Sequence, residues 1–226
     1  MSKYQLWTKL WWRKAVLEEE KLKNELCFLK AQFNPHFLFN SINSIYGHIP
    51  RDNPMARNML VIFSEMLRYQ LYECNAKSVS IHKELHYIRN YVALQQIRKE
   101  EDLQIKLNVD MDAKDFFIAP LLFTAFIENA FRYVSSSKGE NKVVICLQKK
   151  EHLLRFRVFN TREKAGGTAV APDHRGIGIS NAKRRLGILY PGRHELQIDD
   201  GVNFYQVTLT IDLLPNPERV PDWGQA

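Results

Sequence analysis

Apolar residues recur at helical spacing through the first hundred residues. Leu22, Leu26, Leu29 and Phe33 follow the 4-3-4 rhythm of a coiled-coil seam, with Glu18, Glu19, Glu20, Lys21 and Lys23 around it. This pattern predicts one long helix over 5–33 that runs on into a helical bundle, because the seam is short for a free-standing coiled coil. Beyond Pro35, residues Phe37, Leu38, Ile42 and Ile45 join Phe33 on an apolar face. Gly47–Asn53 reads as a turn. Pro54 then opens a helix to about Tyr72, with Met59, Ile62, Phe63, Met66, Leu67 and Leu71 as its apolar stripe. Two antiparallel helices of this kind cannot bury both faces alone, so a four-helix bundle made by a homodimer is expected. A third helix is predicted over about Ile81–Glu100, after a loop at Asn75–Ser80.

From Asp102 the period shortens from helical to alternating. Strands are predicted at Leu103–Val109, Lys142–Gln148, Leu153–Phe159, Glu195–Ile198 and Phe204–Ile211, and helices at about Pro120–Val134 and Ile179–Leu189. Thr161–Arg175 is rich in Gly, Ala and charge and reads as a functional loop. The order of elements gives an α+β chain: an N-terminal helical region, then an α/β sandwich with helices on one face of a mixed sheet. The expected divisions are a helix over 1–33, a helical region over 34–101, the sandwich over 102–214 and a tail over 215–226.

Composition narrows the setting. At 226 residues and 45% hydrophobic content, the chain can support a core split over two units. Cys27, Cys74 and Cys146 are odd in number and form no CxxC, as reduced cytosolic thiols do. No run of about 18 apolar residues appears. Trp7, Trp11 and Trp12 are interleaved with Lys3, Lys9, Arg13 and Lys14, a mixture common where a helix leaves a membrane on its cytoplasmic side. The chain is accordingly read as the cytoplasmic portion of an inner-membrane protein, attached through an N-terminal segment missing from this sequence. The net charge of +7 does not indicate nucleic acid: the basic residues are spread among 25 acidic ones, with no helix-turn-helix, zinc-finger or RNP pattern. Such a surface suits anionic lipid, ATP phosphates or an acidic protein partner.

The chemistry concentrates in three places. His36 follows Asn34-Pro35 and shares a polar stripe with Gln32, Asn40 and Asn43 at i−4, i+4 and i+7. Imidazole near pH 7 is mostly neutral, with a lone pair free for attack. Asn34 and Pro35 suit the N-cap and first position of a helix, whose dipole would favour a phosphoryl group there; if the preceding helix runs through, Pro35 kinks it beside His36. Second, Phe126-Ile127-Glu128-Asn129-Ala130-Phe131-Arg132-Tyr133 is an apolar helix interrupted by an acid and an amide, oxygen ligands of the kind Mg²⁺ takes. Third, Arg175-Gly176-Ile177-Gly178-Ile179-Ser180-Asn181 places glycines before a helix, where backbone N–H groups can approach phosphate. The His82-x-Glu84-x-His86 order departs from metalloprotease spacing and reads as a solvated face.

In this order, the three segments resemble the LytS-type sensor histidine kinases, from about residue 25 to 212. Leu29–Asn40 looks like that family's phosphoacceptor segment, Glu84-Leu85 and Tyr91–Arg98 like its linking helix. Pro120 with Glu128-Asn129-Ala130 is similar to the N-box of the GHKL (Bergerat-type) ATPase fold, and Gly176–Asn181 through Arg185-Leu186 to its later glycine box. The resemblance implies that His36 attacks the γ-phosphate of ATP and that Asn129 holds Mg²⁺ through its amide oxygen. It further implies that Glu128 accepts or orients the imidazole proton and that Gly176 and Gly178 shape the phosphate cradle beside Asn181. Arg132, Arg175 or Lys183 would add cationic help. Asn40 either positions a water for dephosphorylation or orients the imidazole. Phe37 stands where many histidine kinases carry an acid, which favours Glu128 as the base. The implied partners are a second copy and a response regulator with a receiver domain. Two departures stand out: Asn160 occupies the place of the adenine-binding Asp, without the following glycines, and Tyr133 that of the usual His. Both bear on nucleotide affinity and leave the fold untouched. A degenerate kinase acting as scaffold, or a regulator phosphatase using Asn40, is the alternative.

Overall fold

The computed structural model describes residues 35–74, 76–98, 103–111, 115–134, 141–162 and 177–214. The predicted helix over 5–33, Asn34, most of the 161–175 loop, Gly176 and the tail over 215–226 lie outside them. The chain divides into two compact units between Tyr72 and Glu73.

The first unit is a helical hairpin, α1 (Pro35–His48) and α2 (Pro54–Arg68). Asn53 caps α2 by accepting the Ala56 N–H at 3.1 Å, and Pro54 fills the first turn, where no N–H is needed. The helices run antiparallel, since Phe39 stacks on Tyr72 at 6.3 Å while Arg57 lies 4.1 Å over the Tyr46 ring. The α-helical hydrogen bonding ends at Arg68, short of the predicted Tyr72, and a π-turn covers Tyr69–Glu73. With that wider turn Tyr69 is buried and Tyr72 reaches Phe39. Ile42, Met66 and Tyr69 are the buried apolar residues of the hairpin, whereas Phe37, Ile45, Met55 and Phe63 face solvent.

The second unit is an α/β sandwich. Strands β2 (Leu103–Asp110), β4 (Asn141–Lys150), β5 (Leu153–Thr161), β6 (His194–Asp200) and β7 (Phe204–Asp212) form a sheet in the order β2-β4-β5-β7-β6. Only β2 and β4 pair in parallel. Helices α3 (Ile81–Arg98), α4 (Thr124–Tyr133) and α5 (Ile177–Leu189) share one core with the inward rows of the sheet. Along β5 the inward row is Leu154, Phe156, Val158 and Asn160, with Arg155 and Arg157 outward, the alternation that the sequence predicts. The expected α/β sandwich, with helices on one face of a mixed sheet, is the fold observed.

Four differences matter. The third helix was grouped with the dimerisation region, yet Ile81, Leu85, Ile88 and Val92 pack into the sandwich core, so α3 belongs with the sheet. Within the His82-x-Glu84-x-His86 face both histidines are exposed, but Glu84 is fully buried. A two-stranded ribbon unforeseen in the sequence, β1 (Val79–Ser80) with β3 (Phe117–Ile118), ties the start of α3 to the segment before α4. Finally, α4 starts at Thr124 and not Pro120, because Leu121 takes φ 52° and the preceding turn hydrogen-bonds elsewhere.

The core centres on Phe156, fully buried, with Phe123 stacked at 4.6 Å and Phe126 at 6.2 Å. Phe156→Ala is expected to lower the unfolding free energy by about 3–5 kcal/mol in urea titration; a loss under about 1 kcal/mol would contradict this packing.

Candidate active site

Helical spacing puts His36 and Asn40 one turn apart on the outer face of α1, and both are exposed together with Asn43. The Asn40 Nδ2 lies 3.2 Å from His36 Nδ1 and 3.4 Å from Nε2. An amide nitrogen only donates, so the ring nitrogen it engages is the unprotonated one. Phe37 beside it is 70% exposed, an apolar ring left at the surface next to the imidazole. Gln32 lies outside the described residues.

In the second unit α4 turns Phe126, Ile127, Ala130 and Phe131 into the core. Its period then places Glu128, Asn129, Arg132 and Tyr133 together on the other side: Glu128 and Arg132 exposed, Asn129 and Tyr133 half-buried. Glu128 is therefore not the buried acid that the apolar context suggests. Even so, reduced solvation raises its pKa above the usual 4.5, and Arg132 one turn on pulls it partly back. From α3, Tyr91 packs edge-on against Phe131 at 5.6 Å. Burial, and next the charge of Glu128, push the Tyr91 hydroxyl up to about 12.

Asn160 ends the inward row of β5 and is fully buried. Its Nδ2 donates to the Thr161 carbonyl at 3.1 Å and to the Tyr133 carbonyl at 3.4 Å, joining the ends of β5 and α4. These two acceptors orient the amide, and they explain why a carboxylate is unsuited here: it would face two carbonyl oxygens. Its Oδ1 is buried with no partner among the described residues. A buried acceptor left unpaired costs about 1–3 kcal/mol, and an adenine amino group is a donor that fits it.

Where the family pattern has glycines after this position, a clamp stands instead. Arg162 pairs with Asp200 at 2.5 Å and donates to the Gly201 carbonyl, while its own N–H reaches the Asn203 carbonyl at 2.9 Å. The Phe204 ring lies on Gly201, so a Cβ there would come within 2.3 Å of it, and it stacks on Phe159 at 5.8 Å. Burial, with Asp200 nearby, raises the Tyr205 hydroxyl in the same cluster.

At the start of α5, Gly178 and Asn181 are exposed. Among the described residues, a Cβ on Gly178 would meet nothing within 4 Å. The structure thus gathers Glu128, Asn129, Arg132 and Tyr133 on one helix and ties Asn160 to its end, with Gly178 and Asn181 on a helix sharing the same core. His36 and Asn40 belong to the other unit. The sequence reading gave no structural role to Glu84 and did not single out Tyr190. Glu84 carried a legible signal, an acid inside the Ile81, Leu85, Ile88 stripe of α3.

Residues 24–103, which include His36, match the histidine kinase family. The sensor protein LytS of Staphylococcus saprophyticus is 28% identical over 207 residues, 87% of this chain and 34% of that protein. The sensor histidine kinase YpdA of Escherichia coli is 29% identical over 225 residues, 95% of this chain and 38% of its own length. LytS of Bacillus subtilis is 30% identical over 161 residues, 70% of this chain and 26% of that protein. The chain spans about a third of the length of the curated relatives it matches. The histidine kinase match across the Asn34-Pro35-His36 segment and the LytS and YpdA relatives aligned over most of the chain agree, and together they support the LytS-type histidine kinase family for it.

Proposed function

We propose that this chain is the cytoplasmic kinase portion of a membrane-attached two-component sensor. It would act as a homodimer, phosphorylate His36 from ATP and pass the phosphoryl group to an aspartate on the receiver domain of a response regulator. The observation that carries this reading is the exposed His36, engaged by the amide of Asn40 and lying within the segment that matches the histidine kinase family. The exposed Phe37, Ile45, Met55 and Phe63 of the hairpin support the dimer. The Trp- and Lys-rich opening supports attachment to a membrane, although no described helix is long and apolar enough to cross one.

Attack comes from the unprotonated ring nitrogen, once the Asn40 amide releases its lone pair. The N–P bond forms as the bond from γ-phosphorus to the bridging oxygen of ADP breaks, and the proton on the other ring nitrogen leaves. Glu128 is suited to take that proton, since its raised pKa makes it a stronger base than an ordinary glutamate. Asn129 and Glu128 supply oxygen donors of the type Mg²⁺ accepts, and Asn129 would hold the ion through its amide oxygen. Bound there, the ion neutralises charge on the phosphates. Asn160 Oδ1 would accept the adenine amino group, Arg132 and Tyr133 would line the nucleotide, and Gly176, Gly178 and Asn181 would bring the N-terminus of α5 to the phosphates.

Three outcomes are expected. Radiolabelled γ-phosphate should attach to the wild type in an acid-labile, base-stable form and be absent from folded His36→Gln; label persisting in that variant would sink the assignment. If the wild type takes no label yet binds ATP, a phosphatase or scaffold is favoured. For Glu128 the sign follows from its raised pKa: protonation removes the base, so the labelling rate falls on acidification through a midpoint above 4.5. Glu128→Gln should lose that limb and about 10²–10⁴ in rate. Asn160→Ala should weaken ATP binding about tenfold by calorimetry, the effect of one hydrogen bond; unchanged affinity would remove the adenine role.

A further inference from the structure

Three side chains converge on the four residues ahead of α4. Glu84, fully buried, accepts the Leu121 N–H at 2.9 Å on Oε2 and the Leu122 N–H at 3.1 Å on Oε1. Arg185 Nη2 donates to the Pro120 carbonyl at 2.6 Å. Tyr190, just past the end of α5, accepts the Ala119 N–H on its hydroxyl at 3.0 Å. Every residue from Ala119 to Leu122 is thus held through its backbone by α3 or by the far part of α5 and the residue after it.

The turn needs holding. Leu121 sits at φ 52°, a left-handed conformation that non-glycine residues rarely adopt, and such outliers persist only where the surroundings over-determine them. The N-cap residue of α4, Phe123, makes no side-chain capping bond. The direction in which α4 leaves the turn is therefore set from outside the helix, one turn before Glu128 and Asn129. The core alone would not require this, since Phe123 and Phe126 already anchor α4 on Phe156. Arg185 also belongs to the helix that begins beside Gly178 and Asn181, so the same clamp relates the two helices of the nucleotide site.

We propose that Glu84, Arg185 and Tyr190 are positioning residues for phosphoryl transfer, fixing through the Ala119–Leu122 turn where α4 presents Glu128 and Asn129. The proposal rests on the kinase reading above. None of the three touches the reacting atoms; they act by placement, where an error of about 1 Å costs on the order of a hundredfold in rate.

The test uses the full chain with Glu84→Gln, which turns one acceptor oxygen into an NH₂ facing an N–H, and the milder Tyr190→Phe, which removes the acceptor for Ala119. Labelling rates over a range of ATP concentrations, binding of Mg²⁺-free ADP and amide hydrogen exchange are measured on each. Glu84→Gln is expected to lower kcat about tenfold while KM and ADP affinity move less than about threefold. Exchange should quicken over 119–133 and stay slow in β4, β5 and β7; Tyr190→Phe should do the same more weakly. Wild-type kcat in both folded variants would overturn the proposal, as would exchange rising across the whole sheet in step with the lost rate. Should Glu84→Gln fail to fold, Tyr190→Phe decides by the same criteria. Absence of label in the wild type would defeat the kinase reading. Exchange over 119–133 would then still report on the clamp, and an unchanged pattern would refute it.

Discussion

The seating of α4 on the sheet is the constraint on which the proposed nucleotide site depends. Phe123 and Phe126 close on Phe156, an inward residue of the central strand β5, and this fixes which side of a ten-residue helix faces the core. Because side chains recur every 3.6 residues, one apolar choice assigns the opposite side to Glu128, Asn129, Arg132 and Tyr133 without any further instruction. Aromatic stacking sets rotation about the helix axis, while the bonds to the preceding turn set its entry. The Asn160 amide on the Tyr133 carbonyl ties down its exit. A short helix held at both ends and along one side is a rigid support for groups that work by placement.

Much of this was legible in the chain. The alternation along β5 and β7, the apolar frame around Glu128-Asn129 and the polar stripe at His36 each follow from one local period. The missed parts are those in which no local period operates. A two-residue strand such as Val79–Ser80 is too short to show alternation, and the left-handed Leu121 is held by Glu84, 37 positions earlier. The boundary of α4 was misplaced for the same reason: Pro120 looks like a helix start until its neighbours' N–H groups are found on Glu84. Burial of Glu84 was masked by two exposed histidines flanking it. Asn160 illustrates the opposite case, in which a departure visible in the sequence acquires its reason only when two carbonyl oxygens are seen against the amide.

The two units also differ in how they satisfy themselves. The sandwich buries a continuous core against one face of its sheet. The hairpin closes through a few contacts such as Phe39 on Tyr72 and leaves rings of Phe37 and Phe63 in water. A helical pair of that composition is incomplete as a folding unit, and the proposed dimer is the arrangement that would complete it.

The clamp at the end of β5 carries a consequence of another kind. Backbone freedom conferred by glycines is indifferent to the medium, but Arg162 on Asp200 is an ionic contact with the carboxylate 62% open to solvent. Pairs of that exposure weaken as electrolyte rises, since screening acts over about 8–10 Å at ordinary ionic strength. In this chain the rim beside Asn160 is therefore coupled to the salt content of its surroundings, a sensitivity that a glycine-built rim lacks.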